Sequence, residues 1–365
     1  MTKSPEPSIS PRSTYQLRAQ LAKICQSVQI ESFDTFTLGA TRYVLATSDE
    51  RLAGESHTSH MASTFRLIEK LAGKLYDRCY VRHFYGSEEI SENEVGGASE
   101  MFDQNLTPLF HAANDNKDGW DPGWQIYQTV ADGRLFVQKG DRSRAVMAGE
   151  YSTYKWPGVA PVSGDFVSVR MFAGSTDVQP SFFFAFGRTL SDQFDEYAVV
   201  RFYFHVSAEQ APVLMAHLTA RLNRYQIPFK FKALVQAAMY TRTDAAVLYI
   251  ARRFFQIVAT IIIDLLSEGH ICLRDGNPLF SRELISGVGM AEDPNTGTSF
   301  GMHRCTLVAQ GLVTAWQEGQ QDEAAKMGAI EEVFSAHQLS LERAYLNSRS
   351  SDIFEARLFD KETQW

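Results

Sequence analysis

Val200-Arg201-Phe202-Tyr203-Phe204-His205-Val206 alternates at period 2, the pattern of a half-buried strand. Phe202, Phe204 and Val206 share one face. Arg201, Tyr203 and His205 share the other. Phe229-Lys230-Phe231-Lys232 repeats the pattern, its phenylalanines pointing one way and its lysines the other. Either strand alone reads as an amphipathic strand showing its cations to water. Their company changes the reading. Arg242 follows closely, Tyr249 lies in the next strand, and a glycine-rich loop leads to His303-Arg304. Cations gathered on neighbouring elements suit an anion, and the planar fork of arginine grips phosphate with two parallel bonds. His303 reads equally as a phosphate ligand or as a helix cap.

The pattern outward from these strands predicts the α+β class, an antiparallel or mixed sheet with packed helices. Helical spacing covers 15–30 and 58–86, where Leu67, Leu71 and Leu75 recur at i+4. Residues 87–123 read as loop, 124–140 as a hairpin around Asp132-Gly133, and 141–164 as irregular. Strands follow at 166–171, 182–186 and 196–206, then a helix over 207–225. Further strands are expected at 229–234 and 245–250, and a helix runs to about 268. Residues 287–301 read as a glycine-rich loop and 302–318 and 320–347 as helices. A flexible tail is expected at 1–14, an N-terminal domain at 15–158, and a second domain at 159–365.

The 365 residues are 44% hydrophobic and 12% aromatic, ample for a core. The net charge of −8 argues against general binding to nucleic acid or anionic membranes, though not against a local basic pocket. The four cysteines are scattered without metal or disulfide spacing. The N-terminus lacks the apolar core of a signal peptide, and the most apolar stretch is too short to span a bilayer. These features lead to the expectation of a cytoplasmic protein without metal or other cofactor. Gly297-Thr-Ser-Phe-Gly301 matches a nucleophile elbow in letters, but a turn rather than a strand precedes it.

The run Ala291-Glu-Asp-Pro-Asn-Thr-Gly-Thr-Ser-Phe-Gly-Met-His-Arg-Cys305 resembles the signature of the HopA-like (HrmA) effector family. So do the Arg201-Phe-Tyr203 strand, the Pro228–Lys232 strand and the segment Tyr240–Tyr249. The order of elements is similar, more distantly, to that of the phosphothreonine lyases OspF and SpvC. The resemblance implies a phosphothreonine-lyase-like C-terminal domain that eliminates phosphate from phosphoserine or phosphothreonine of a precursor peptide, as in lanthipeptide and thioamitide biosynthesis. A separate kinase-like protein would supply the phosphate. By the same resemblance Lys232 matches the general base and Tyr203 the general acid, with His205 as the alternative. Arg201, Arg242 and Arg304 match phosphate-contacting positions, and Tyr249 an active-site tyrosine. Lys230 would add charge. A secreted effector acting on host phosphoproteins and a phosphopeptide-binding module without chemistry are the alternatives.

The residue types fit elimination. The Cα proton is weakly acidic, so the base must be neutral part of the time. Burial and adjacent cations both disfavour charged lysine. Arginines hold the phosphate and stabilise the leaving oxygen.

Overall fold

The computed structural model describes residues 11–45, 56–82, 84, 104–156 and 158–354. Among them are seven α-helices and three sheets in which every strand pair is antiparallel, so the class is α+β. The chain begins with α1 (Pro11–Ser27), the sheet of β1 (Val28–Ser32), β2 (Thr35–Leu38) and β3 (Thr41–Val44), and α2 (Ser56–Leu75). A π-helical turn, Tyr76–Tyr80, extends α2, and α3 (Thr107–Ala113) follows.

A five-stranded sheet comes next: β4 (Gly119–Thr129), β5 (Leu135–Lys139), β6 (Arg142–Val146), β7 (Tyr151–Thr153) and β8 (Phe166–Met171), ordered β6-β5-β4-β8-β7. The remaining strands are β9 (Gly174–Ser175), β10 (Phe182–Phe186), β11 (Val199–Phe204), β12 (Phe229–Leu234), β13 (Ala246–Ala251), β14 (Arg282–Ile285) and β15 (Val288–Glu292). They form the central sheet in the order β14-β15-β11-β13-β12-β10-β9. Between and after them run α4 (Gln210–Arg224), α5 (Phe255–Ser267), α6 (Phe300–Gln317) and α7 (Glu323–Ala336).

The alternation in β11 and β12 separates two faces of the central sheet. Phe202 stacks on Phe255 of α5 on one face, with ring centroids 5.5 Å apart. On the other face Tyr203 meets Phe300 of α6. Leu67, Leu71 and Leu75, the stripe of α2, are buried in the same core as these strands. Tyr80 reaches α6 where Gly301 leaves room; a Cβ there would strike the Tyr80 ring. One continuous core therefore joins described residues between Leu21 and Phe110 to described residues between Phe182 and Phe354.

The expected 158/159 boundary falls inside one sheet. The proline- and glycine-bearing stretch near the 158/159 boundary is a hairpin connection. Tyr151–Thr153 pairs with Val167–Val169 across it, so the boundary would cut a sheet. The five-stranded sheet has its own small core of seven residues, including Trp124, Val137 and Val167. Its two ends meet: Asn114 Nδ2 donates to the Ala173 carbonyl at 2.7 Å, and Ala173 N–H donates to Asp118 Oδ1 at 2.9 Å. The sheet is an insertion in one domain.

Other expectations are revised locally. Residues 1–10 of the expected tail lie outside the described residues, and 11–14 already belong to α1. Gly119–Trp124 opens β4 rather than a loop. Residues 288–292, expected as glycine-rich loop, form the fully buried β15, where Gly289 admits Ser281; an added Cβ would lie 2.6 Å from its hydroxyl. The last helix ends at Ala336, because Gln338 takes a positive φ of 56°. No helix among the described residues is long and apolar enough to cross a membrane.

Candidate functional site

Strand register places the polar side chains in two rows on one face of the central sheet. The first row runs Phe186–Lys230–Tyr249–Arg201–Ala291. The second runs Phe184–Lys232–Val247–Tyr203–Gly289. Five expected site residues thus lie in adjacent rows: Lys230, Tyr249, Arg201, Lys232 and Tyr203.

Lys232 is half-buried. Its Nζ donates to Gln179 Oε1 at 2.9 Å and lies 4.2 Å from the centre of the Phe182 ring. Tyr249 stands within 5.9 Å. Burial is the main cause that pulls this lysine down to about 8; Asp244 opposes it, and Arg201 and Arg242 add to it. At that value about one lysine in ten is neutral at pH 7, against fewer than about one in a thousand for a free lysine.

Each flanking arginine is oriented by a carboxylate. Arg201 donates from Nε (2.8 Å) and Nη2 (2.5 Å) to Asp293 Oδ2, and stacks 5.2 Å over Tyr249. Arg242 donates from Nε to Asp244 Oδ1 at 2.7 Å and from Nη2 to Asp244 Oδ2 at 2.9 Å. It also donates from Nη2 to Tyr76 Oη at 3.0 Å. A guanidinium has five N–H groups, so both arginines keep Nη1 for an anion while the acids fix their planes.

Tyr203 is buried and its hydroxyl makes no hydrogen bond of good geometry, although Tyr80 and Arg201 lie near enough to interact with it. Burial raises its pKa, with Arg201 opposing, so it holds its proton at neutral pH. A buried hydroxyl without a well-formed hydrogen bond is costly. Here it lies in the row of the lysine, on a face that collects cations.

The other expected residues are placed differently. The His205 ring, one pleat beyond Tyr203, lies against the Asp275 carbonyl at 2.7 Å, in the segment before β14. Arg304 is 1% exposed. It donates to the carbonyls of Ala344 (2.8 Å) and Leu346 (2.7 Å), so it ties the chain after α7 to α6 and does not present its fork to a ligand. Its His303 neighbour contacts it at 2.7 Å and is held down to about 4, first by burial and then by the Arg304 charge. Ser299 caps α6 by accepting from Met302 N–H at 3.2 Å, which accounts for the elbow-like letters around it. Lys230 is exposed at the edge of the face.

Five functional neighbours were not singled out from the sequence: Tyr76, Tyr80, Gln179, Asp244 and Asp293. Asp244 and Asp293 stand inside the two segments that carry the resemblance, so an acid beside each arginine was open to view. Tyr76 is 166 residues from Arg242 and no local pattern links them.

Residues 173–346 match the model of the HopA1 effector protein family. No curated protein matches the chain. Among solved structures, the effector protein from Pseudomonas syringae pv. tomato strain DC3000 is 19% identical with a TM-score of 0.38, over 46% of this chain and 63% of that one. The effector protein from Pseudomonas syringae pv. syringae strain 61 is 13% identical with a TM-score of 0.40, over 78% of this chain and 98% of that one. The matched span is therefore less than two thirds of the first structure. The matched residues contain both rows of the polar face and both carboxylates that orient its arginines, and over them this chain is similar to the HopA1 effector protein family.

Proposed function

We propose that this chain is a carbon–oxygen lyase that eliminates phosphate from phosphoserine or phosphothreonine in a peptide. The observation that carries the reading is one sheet face with a partly neutral lysine, two oriented arginines and a buried tyrosine hydroxyl that makes no hydrogen bond of good geometry. The Nη1 groups of Arg201 and Arg242 hold the phosphate. Lys232 Nζ takes the Cα proton. The electron pair of the Cα–H bond forms the Cα=Cβ bond, and the Cβ–O bond breaks with its pair going to phosphate. Tyr203 gives its proton to the leaving oxygen and recovers one from water. The products are inorganic phosphate and dehydroalanine or dehydrobutyrine. The carboxylates limit the excess positive charge, so the empty site is not overcharged. A bound phosphate dianion raises the lysine again, which sets a working range above neutral pH.

The substrate under this reading is a ribosomal precursor peptide in the cytoplasm, phosphorylated by a separate kinase-like protein. The matched family is described as one of effector proteins, which supports a second setting that we propose beside the first, an effector acting on phosphorylated host proteins. The chemistry at Lys232 is the same in both. The test is to trap the product with a small thiol. The wild-type chain should convert a phosphothreonine peptide into a thiol adduct, and Lys232→Ala should bind the peptide without forming it. Binding without an adduct in the wild type as well would leave a phosphopeptide-binding module and remove the lyase.

A further inference from the structure

A cleft of about 690 Å³ lies between the inserted five-stranded sheet and the β10–β12 side of the central sheet. Lys230 and Phe186, paired in register, belong to its wall. Lys230 is two residues from Lys232 on the same face of β12, about 7 Å along the strand at ~3.4 Å per residue. An extended peptide whose phosphorylated residue sits at Lys232 therefore has this cleft beside it.

The charge of the wall is unusual for this molecule. The chain is acidic, with a net charge of −8. Most of its described arginines lie against carboxylates, among them Arg188 of this same wall, which pairs with Asp115 at 3.1 Å. Arg142, Arg144 and Lys230 line the cleft with no carboxylate partner among the described residues. Arg142 and Arg144 alternate on β6, so they share one face. Arg144 Nη1 has only the Met171 sulfur, at 3.1 Å. Asp121 of the wall is occupied by Lys139 at 2.6 Å and by the Trp124 indole N–H at 2.8 Å. Asp141 accepts from the Gln193 N–H at 3.3 Å and Glu196 stands exposed in the same wall; among the described residues, these two carboxylates without a cation are outnumbered by four cations without a carboxylate, Lys117, Arg142, Arg144 and Lys230. Trp120 (51% exposed) and Phe172 (40% exposed) add open aromatic surface. Lone surface cations gain nothing for stability, and unpaired arginines beside aromatics recur where anionic chains dock.

We infer that this cleft docks an acidic stretch of the substrate peptide next to its phosphorylated residue. The inference rests on the lyase reading for its substrate and extends it to the sequence around the phosphate. Arg142 and Arg144 pair with glutamate or aspartate side chains, and Trp120 covers the peptide stem.

The test separates docking from chemistry. A fluorescein-labelled, unphosphorylated peptide alternating glutamate and glycine, and its glutamine twin, are titrated against the full chain by anisotropy. The glutamate peptide should bind at least about tenfold tighter. Arg142→Ala/Arg144→Ala should abolish the difference while the protein melts at an unchanged temperature. Equal binding of the twins, or a preference that survives the double substitution, overturns the inference. So does an oligonucleotide of the same charge that binds as tightly and is lost with the same arginines. Because the probe carries no phosphate, a failed elimination assay leaves this result standing, and elimination without charge preference removes the docking site alone.

Discussion

Under the proposed elimination, Lys232 makes pH the control of rate. Its ordinary value lies near 10.5 and burial brings it to about 8. The base acts when neutral, so kcat/KM should rise about tenfold per pH unit below 8 and level above it. The phosphoryl group of the substrate titrates near 6 and is a dianion throughout that window. In the complex the dianion raises the lysine, so the kcat profile should level at a higher pH than kcat/KM. A stopped assay of phosphate release from pH 6.5 to 9.5 measures both; a rate that falls through this range would exclude a lysine base. Tyr203 carries a second prediction. Tyr203→Phe removes a buried hydroxyl that makes no hydrogen bond of good geometry, so stability should hold or rise by up to about 1 kcal/mol. Elimination should fall by about 10²–10⁴ with little change in phosphopeptide affinity. A urea melt with single-turnover kinetics tests the pair, and an equally active Tyr203→Phe would move the acid elsewhere. At this scale the sequence was informative where alternation fixed the face: Arg201, Tyr203, Lys230 and Lys232 were legible from period 2 alone. The acids were not, because a carboxylate that orients an arginine looks like any loop aspartate until the fold brings them together.

Helix α6 shows how an element can redirect a residue. Its Arg304 stands in the segment that resembles the HopA-like signature and matches a phosphate-contacting position there, yet the helix turns it into the interior, over Phe300 at 5.0 Å and onto two carbonyls. Arg304→Ala should orphan those carbonyls and cost about 1–3 kcal/mol for each. The affinity of the folded fraction for phosphopeptide should not change. Denaturation beside a binding titration reads both, and a collapse of affinity at full stability would restore Arg304 as a phosphate ligand. The strands β10, β12 and β13 were read close to their true limits because their apolar runs are bounded by turn residues. Strand β15 was hidden by Gly287 and Gly289, which signal a loop in sequence but here serve a tight turn and the close approach of Ser281. Helix α3 was hidden by its seven-residue length, too short to show a stripe.

The described residues form one main core and one inserted sheet, and that organisation was the least legible feature. A proline- and glycine-bearing stretch marks a linker and a hairpin loop alike, and only pairing across it distinguishes them. Because Asn114, Asp118 and Ala173 hold the ends of the insertion together, residues 119–171 can be replaced by a short glycine-serine linker. The shortened chain should unfold cooperatively and near the wild-type temperature, since the main core keeps all its buried residues. Non-cooperative melting would show that the insertion belongs to the main core after all.

The claim on which the rest depends is that the rows around Lys232 break a carbon–oxygen bond without water. The most direct measurement is mass spectrometry of a phosphothreonine peptide, and its phosphoserine twin, incubated with the purified chain in water enriched in heavy oxygen. Elimination predicts that the peptide loses H3PO4, keeps an alkene and gains no label. Loss of HPO3 instead, with the side-chain hydroxyl restored, would mean hydrolysis of the phosphate ester and would contradict the assignment of Lys232 as the base.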